Sequence, residues 1–283
     1  MSVSARDLRP AGPAAHEHGA PAADPDVKVR FQNVSKAYGT IEVVRDVSFD
    51  INEGDFIALV GPSGCGKTTM MNMLAGFTRP DSGAVLLEGA EVTGPGPDRG
   101  VMFQDYGVFP WLSVEKNIRF GLELGVKRKM TKAQKTETVE KYMAQMRLTD
   151  FRDAWPKNLS GGMRQRLALA RAYAANPHFL LMDEPFGALD AQTRSDMHDL
   201  LLEIMQAERK TALLITHSAE EAIYLATRIL VISARPSRIV EEIRIPFGEK
   251  RDRNLLDAPE FIELRRHLRD VVMKQYAEQQ ALG

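Results

Sequence analysis

A glycine-rich stretch in the first quarter of the chain has the composition of a phosphate-binding loop. Residues 61–69 read GPSGCGKTT and fit the pattern G-x-x-x-x-G-K-[ST]. Glycines allow successive backbone N–H groups to turn toward phosphate oxygens, and the start of the following helix adds partial positive charge. At average residue usage, about one chain in a hundred of this length contains such a match by chance. We therefore predict a phosphate-binding loop in preference to an ordinary tight turn.

Within this loop the pattern predicts separate roles for individual side chains. Lys67 is placed to reach the β- and γ-phosphates of a nucleotide, and the Thr68 hydroxyl is placed to bind Mg²⁺. Cys65 occupies a variable position of the pattern, and we predict no chemistry for its thiol. The predicted nucleotide-binding set is Gly61, Pro62, Ser63, Gly64, Cys65, Gly66, Lys67, Thr68 and Thr69.

Two adjacent carboxylates have the position that a nucleotide site requires. The apolar run FLLM directly precedes Asp183 and Glu184, which favours the end of a buried strand over a surface acidic pair. We predict that Asp183 holds the metal from a strand that neighbours the one leading into the loop. Glu184 is then placed to polarise an attacking water as a general base, an effect worth about 10²–10⁴ in rate. The NKxD pattern of guanine-specific GTPases is absent from the sequence, so ATP is the favoured nucleotide.

A second glycine-rich stretch, LSGGMRQRLALARA at residues 159–172, has a serine but no lysine. Ser160 is a good helix N-cap, and Gly161 and Gly162 permit close approach of another backbone. A capped helix after a loop explains the serine, but it explains two consecutive glycines poorly. Because exposed N–H groups at a helix start attract anions, we predict a second anion site here.

Both stretches need strands and helices to position them. Alternating apolar residues in VKVRF and VSFDI, on either side of the turn-like YGT, predict half-buried strands that begin at Val27. The run DFIALVG predicts a buried strand that leads directly into the first loop. FLLMD, TALLIT and ILVIS are short apolar runs separated by helical patterns, which indicates a parallel sheet covered on both faces. The predicted fold class is α/β.

Helical patterns dominate from about residue 105 to 175, where we predict an inserted helical subdomain. Thr131 and Gln134 in TKAQ form a capping box at the start of one helix. The apolar stripe of that helix consists of Val139, Tyr142, Met143 and Met146. The basic cluster KRKMTKAQK favours a solvated face over a phosphate-binding role.

The two ends of the chain differ in character. Residues 1–26 are rich in Ala and Pro, which predicts a disordered tail whose His16 and His18 are solvated rather than metal-bound. After Ser233 come one or two short strands in RIVEEIRI and an amphipathic helix. The apolar positions of this helix are Phe261, Leu264, Leu268 and Val271. Packing against the main domain is one interpretation of that face, and contact with a second copy or a membrane partner is the other.

The overall composition excludes several classes of protein. Lys and Arg number 37 against 38 Asp and Glu, which gives no support to a nucleic-acid partner. No apolar run approaches the about 20 residues of a membrane-spanning helix, and the N-terminus has no apolar core of a secretory signal. A single cysteine excludes an internal disulfide and fits a reducing compartment. These features predict a cytoplasmic protein.

The order of the motifs resembles that of a known family, the ATP-binding subunits of ABC transporters. From about Val27 to Ser233 the chain contains GPSGCGKTT, FQ at 103–104, LSGG, FLLMDEP, ALD at 188–190 and ITHS. The resemblance implies an ABC-type P-loop NTPase domain at 27–233, with an N-terminal antiparallel β subdomain and the inserted helices. Residues 234–283 would then form a short C-terminal extension.

The resemblance also implies a role for the second anion site. In this family two nucleotide domains pair head to tail, and each ATP lies between the first loop of one copy and the LSGG helix of the other. Ser160, Gly161 and Gly162 would then contact the γ-phosphate of ATP held by the second copy, and ATP hydrolysis would let the dimer open.

Further site residues follow from the matched positions. Tyr38 would stack on adenine, although packing of its ring on its own strand is an alternative. Gln104 would reach Mg²⁺ and the attacking water, and His217 would hold the γ-phosphate. Asp190 would lie on the loop that links the two sites across the dimer. The sequence departs from common family members at Met163, where Gln is frequent, and at Ser218, where Asp is frequent but serine still caps a helix.

Within the family, VMFQDYGVFPWLSVEKNI and SARPSRIVEEIRI resemble importers of nitrate, sulfonates, taurine and bicarbonate. This implies an ATPase on the cytoplasmic face of the membrane that powers a separate permease and acts with an external solute-binding protein. Trp111 in the FPW run is either a core residue or a permease contact. An exporter ATPase remains an alternative. A chromosome-type ATPase is disfavoured because only 93 residues separate Lys67 from Ser160, and a translation-type protein because the chain has one cassette.

Overall fold

The computed structural model describes residues 26–103, 105–124, 129–248 and 250–282. The predicted disordered tail, apart from Asp26, and the predicted site residue Gln104 lie outside this part of the chain. In the described part the strands are β1 (Val27–Tyr38), β2 (Ile41–Asn52), β3 (Phe56–Val60), β4 (Ser82–Leu87), β5 (Ala90–Glu91), β6 (Arg99–Met102), β7 (Phe179–Asp183), β8 (Thr211–Ile215), β9 (Arg228–Ile232) and β10 (Ile239–Arg244). The α-helices are α1 (Lys67–Ala75), α2 (Val114–Phe120), α3 (Lys132–Gln145), α4 (Gly161–Ala174), α5 (Ala191–Glu208), α6 (Ala219–Leu225) and α7 (Pro259–Leu282).

The strands form two sheets. The first is antiparallel in the order β2-β1-β4-β5, and the Gly39 turn between β1 and β2 has the positive φ that glycine tolerates. Phe31 and Phe49 face each other across this hairpin, with their ring centroids 4.4 Å apart. The predicted strands on either side of YGT and the predicted antiparallel β subdomain are confirmed.

The second sheet has the order β10-β9-β3-β8-β7-β6 and is parallel except for β10. Strands β3 and β8 are buried along their whole length, as a sheet covered on both faces requires. One prediction needs correction. The strand that ends at Asp183, β7, does not neighbour β3, because β8 lies between them. The carboxyl ends of β3, β8 and β7 nevertheless meet at one edge of the sheet.

The region between β6 and β7 is helical. The capping box of α3 is present, because Thr131 accepts a hydrogen bond from the Gln134 amide while the Gln134 side chain accepts one from the Thr131 amide. The predicted stripe of Val139, Tyr142, Met143 and Met146 is buried. The first two residues of the basic cluster lie outside the described ranges. Lys129 and Lys132 are exposed as predicted, whereas Lys135 is buried and its ammonium lies 2.6 Å from Glu123.

The C-terminal segment packs on the main body of the chain. Phe261 and Leu268 of α7 are fully buried, and Leu264 and Val271 pack against the same core, as the first interpretation predicted. Ahead of α7, the Arg251 guanidinium donates to backbone carbonyls at the end of α6. Burial lowers the pKa of Arg251 to about 10. None of the described helices has the length and apolar character needed to span a bilayer.

Candidate nucleotide site

The first loop connects β3 to α1 at the shared edge of the parallel sheet. Gly66 precedes the helix with φ 116°, a left-handed conformation, and no side chain caps the helix N–H groups. A Cβ at Gly66 would lie 2.9 Å from both Ser237 Oγ and Val43 Cγ1, so a larger residue does not fit. The start of α1 therefore keeps backbone N–H groups for a ligand, as a phosphate-binding loop requires.

Lys67 lies inside the curve of this loop. Its side chain is buried, with only 4% of the residue exposed, and its ammonium donates to the carbonyls of Gly61 (2.8 Å) and Pro62 (2.7 Å). These carbonyls hold the cation where the pattern predicts a nucleotide phosphate. Burial raises the pKa of the neighbouring Cys65 thiol, which disfavours its reactive thiolate.

Thr68, in the first turn of α1, contacts Asp183 at the end of β7. The Thr68 hydroxyl donates to Asp183 Oδ2 at 3.0 Å. Burial raises the pKa of Asp183, so its ionised form would gain from a nearby cation. A hydroxyl and a carboxylate are the oxygen ligands that Mg²⁺ uses beside phosphates and water. No group of three or more His, Cys, Asp or Glu in the described ranges forms a metal-binding cluster, and a Mg–nucleotide site does not need one.

Glu184 points to a different partner from that of Asp183. Its backbone has φ 46°, its amide donates to Ile215 O of β8, and its carboxylate Oε1 lies 2.6 Å from His217 Nε2. Both side chains remain partly exposed. The ends of β7 and β8 therefore join a carboxylate and an imidazole at the edge that also carries Lys67. This is the geometry of a general base with a second group orienting it.

The second glycine-rich stretch forms a separate helix start. Ser160 caps α4 by accepting the Met163 amide (3.3 Å). A Cβ on Gly162 would lie 2.5 Å from Thr193 Cγ2, so this glycine permits close packing on α5. A Cβ on Gly161 would meet only Leu189 Cδ2, at 3.8 Å. Among the described residues, no hydrogen bond or ion pair joins Ser160 or Gly161 to the first loop.

Asp190 lies beside this helix start. Its carboxylate caps α5 by accepting the Thr193 amide at 3.0 Å, and that hydrogen bond lowers the pKa of Asp190. Tyr38 lies apart on the antiparallel sheet with half of its surface exposed, and the Lys36 ammonium is 5.6 Å from its ring centroid. An exposed aromatic ring is available for stacking on a base, although its own strand alone does not define a pocket.

One buried polar residue beside the site was not predicted from the sequence. Gln165 of α4 is fully buried and its amide donates to the carbonyl of Pro185, the residue after Glu184. It connects the helix that begins at Gly161 to the backbone of the residue after Glu184. The available signal was a glutamine among the apolar residues that α4 buries.

An aromatic patch follows residue 104 in the sequence and consists of Phe109, Trp111 and Phe120, of which Trp111 and Phe120 are exposed and Phe109 is half-buried. Phe109 contacts the rings of Trp111 and Phe120, with centroids 5.4 and 4.5 Å away, and the Arg171 guanidinium of α4 lies 4.6 Å from its centroid. Trp111 is 66% exposed, so its interpretation as a core residue is wrong.

Comparisons with known proteins show the family of the chain. The family model described as ABC transporter matches residues 44–187. A putative ATP-binding protein of Brucella abortus is 47% identical over 248 residues, which cover 88% of this chain and 94% of that protein. The bicarbonate transport ATP-binding protein of Synechocystis is 40% identical over 253 residues, or 87% of this chain and 89% of that protein.

A solved structure gives the same fold. It is a dimeric post-hydrolysis state of an ATP-binding cassette bound to ADP and Pi. It superposes with a TM-score of 0.68 at 28% sequence identity and covers 78% of this chain and all of that one.

Proposed function

Because the chain belongs to the ABC transporter family as an ATP-binding ATPase subunit, we propose that two copies clamp two ATP molecules and power solute import. The import would run through a separate permease. The observation that carries this proposal is the meeting of Lys67, the Thr68–Asp183 pair and the Glu184–His217 pair at one sheet edge. In the proposal, Lys67 compensates the phosphate charge, Thr68 and Asp183 supply metal ligands, and the Glu184–His217 pair supplies a positioned base.

In this proposal, Thr68 and Asp183 would hold Mg²⁺, with Gln104 as a further ligand. Bound Mg²⁺ would neutralise charge on the ATP phosphates. Lys67 binds the β- and γ-phosphates, and Glu184 accepts the proton of the attacking water. His217, now 2.6 Å from Glu184, orients that carboxylate and contacts the γ-phosphate.

The remaining proposed contacts lie on the adenine side and across the dimer. Tyr38 stacks on adenine. Ser160, Gly161 and Gly162 of a second copy contact the γ-phosphate, and Asp190 lies on the loop between the two sites. Each charge-assisted hydrogen bond contributes about 1.5–3 kcal/mol, so loss of the γ-phosphate contacts weakens the dimer. The dimeric relative bound to ADP and Pi supports this assembly.

We assign the permease contact to the aromatic patch. Trp111 is exposed to solvent, and the Arg171 guanidinium packs on the Phe109 ring, so this part of the chain presents an apolar surface. A patch of this kind is typical of a protein interface. The chain would then lie at the cytoplasmic face of the membrane and act indirectly with an external solute-binding protein. The bicarbonate transport relative favours a small anion as the solute.

The proposal predicts the behaviour of the Glu184→Gln variant purified from gently solubilised native membranes with Mg-ATP. We expect ATP binding to persist, hydrolysis to fall about 10²–10⁴-fold because the base is lost, and an ATP-stabilised dimer to appear in gel filtration. A multi-span membrane protein should co-purify at one-to-one stoichiometry.

The exposed Glu203→Gln variant on α5 is the matched control, and its hydrolysis rate should equal that of the unaltered protein. Recovery of the chain alone, or with soluble proteins only, would overturn the transport assignment. A monomer in saturating Mg-ATP would overturn the clamp.

A further inference from the structure

We propose that the last helix, α7, positions the phosphate-binding loop from its outer side and thereby sets ATP affinity, with Gln279 as the positioning residue. The Gln279 amide Nε2 donates to the backbone carbonyl of Ser63 at 3.2 Å, across 216 residues of sequence. Ser63 belongs to the loop that binds the nucleotide in the proposed function, so this inference rests on that function.

The buried side chains of α7 change from apolar to polar toward the end of the helix. Phe261 and Leu268 are apolar and fully buried, whereas Gln275, further along the same face, is only 3% exposed. The Oε1 atoms of Gln275 and Gln279 are both buried without a hydrogen-bond partner. Burial of an unpaired polar atom is unfavourable, and leucine would satisfy packing alone. The two glutamine amides therefore indicate a hydrogen-bonding role at this end of the helix, and the hydrogen bond to Ser63 is such a role.

Two glycines that flank Ser63 in the loop lie near other parts of the chain. A Cβ on Gly61 would lie 2.5 Å from the Ile232 carbonyl, and one on Gly64 would lie 3.7 Å from Arg235 Nη2. Ser63 is exposed between these positions, and Gln279 provides its hydrogen bond from the C-terminal segment. Ile232 and Arg235 therefore lie close to the loop at Gly61 and Gly64, and α7 makes a hydrogen bond to it at Ser63.

The Ser63 contact determines the orientation of a backbone donor. In a trans peptide the carbonyl and the following N–H point in opposite directions. When Gln279 fixes the Ser63 carbonyl toward α7, the N–H of Gly64 faces away from α7. In the proposed function the loop binds phosphate through such N–H groups, so an ordered Ser63–Gly64 peptide favours ATP binding before any chemical step. Hydrolysis of bound ATP depends on Glu184 instead and should be unaffected.

Steady-state kinetics and nucleotide titration of Gln279→Leu test this inference. We expect the KM and Kd for ATP to rise about threefold to tenfold, the range for loss of one hydrogen bond, while kcat and the melting temperature stay unchanged. Gln279→Lys restores a donor at the same position and should recover most of the affinity. Gln280→Leu alters the exposed neighbour on the same helix and should leave both constants unchanged.

Two results would overturn the inference: a Gln279→Leu variant with the same ATP affinity as the unaltered protein, or one that loses kcat and melting temperature with KM unchanged. Gln279→Ala repeats the measurement if leucine lowers the folding yield. Lys67→Ala, titrated in parallel, separates this failure from failure of the proposed function. Retained affinity in Lys67→Ala would reject the phosphate-loop assignment itself, whereas lost affinity there with normal affinity in Gln279→Leu would reject only the role of α7.

Discussion

The two glycine-rich helix starts of this molecule differ in how complete they are within one chain. At α1, Gly66 leaves the first N–H groups uncapped by any side chain, and Lys67 adds a buried cation beside them. At α4, Ser160 already satisfies the Met163 amide, and the motif contains no lysine. The first start therefore leaves backbone N–H groups that can bind an anion. The second is a capped helix start without a lysine in its motif, and in the proposed function it binds the ATP held by a second copy.

The glycines of the second start show the same division on a smaller scale. Gly162 is needed within the chain, because a Cβ there would lie 2.5 Å from Thr193. Gly161 is not needed for packing, since a Cβ would make only ordinary contact with Leu189. Packing within the chain therefore explains Gly162 but does not explain Gly161. Gly161 is therefore the better residue to mutate in a test of the proposed contact with the ATP of a second copy.

The largest effect that separates the two starts should come from Lys67→Ala. Loss of the ammonium removes charge-assisted hydrogen bonds to phosphate, and a loss of about 3 kcal/mol lowers ATP affinity about 100-fold. Nucleotide titration by calorimetry measures this. Lys116→Ala on the exposed surface of α2 is the control and should bind ATP normally. Unchanged affinity in Lys67→Ala would mean that the first start is not the nucleotide site.

Gly161→Ala should produce the next largest effect, and only when two copies meet. Alanine fits in the single chain and is a better helix former than glycine, so the melting temperature and single-chain ATP affinity should not fall. The added methyl group blocks close approach of the γ-phosphate of a second copy. We expect hydrolysis to fall about tenfold, the effect of one lost charge-assisted bond, and ATP-dependent dimerisation in the Glu184→Gln background to disappear.

Gly162→Ala provides the contrast to Gly161→Ala. Its Cβ would crowd Thr193, so the single chain itself should lose stability in urea unfolding. If Gly161→Ala hydrolyses ATP and dimerises normally, the second helix start has no partner across a dimer. In that case the two helix starts would differ only in their local structure and not in whether a second copy completes them.

How much of this was predictable depends on the range of the interaction. The hairpin, the capping box of Thr131 and Gln134, and the Ser160 and Ser218 caps were predictable because each is a pattern within a few residues. The family was predictable from the order of its motifs and is confirmed by the comparisons. The roles assigned to the site residues, and the domain boundaries at 27–233, remain predictions.

Features that depend on chain topology were not predictable in the same way. The sequence does not state that β8 separates β3 from β7, so the expectation of neighbouring strands was wrong although Thr68 and Asp183 do meet. The bond of Gln279 to Ser63 joins residues 216 positions apart and leaves no local pattern. Trp111 is exposed because of where the fold places it in the helical region, which the local sequence does not indicate. An apolar residue in an exposed patch and one in the core cannot be distinguished from the sequence alone.

The smallest expected effect separates the structural task of Ser160 from its proposed contact with phosphate. Ser160→Ala removes the cap of α4, and Ser113→Ala removes the equivalent cap of α2, where Ser113 accepts the Lys116 amide. Each loss should cost about 1 kcal/mol of unfolding free energy in urea titrations. A hydroxyl that only caps a helix should affect hydrolysis equally little in both variants.

A hydroxyl that also contacts the γ-phosphate of a second copy should give a larger loss of hydrolysis in Ser160→Ala. We expect a decrease of about threefold to tenfold there, from one lost hydrogen bond, and none in Ser113→Ala at the same loss of stability. Because the two variants share the helix-capping change, the difference between their hydrolysis rates measures the phosphate contact alone. Equal rates would assign Ser160 to the helix only and leave the N–H groups of Gly161 and Gly162 as the second anion site.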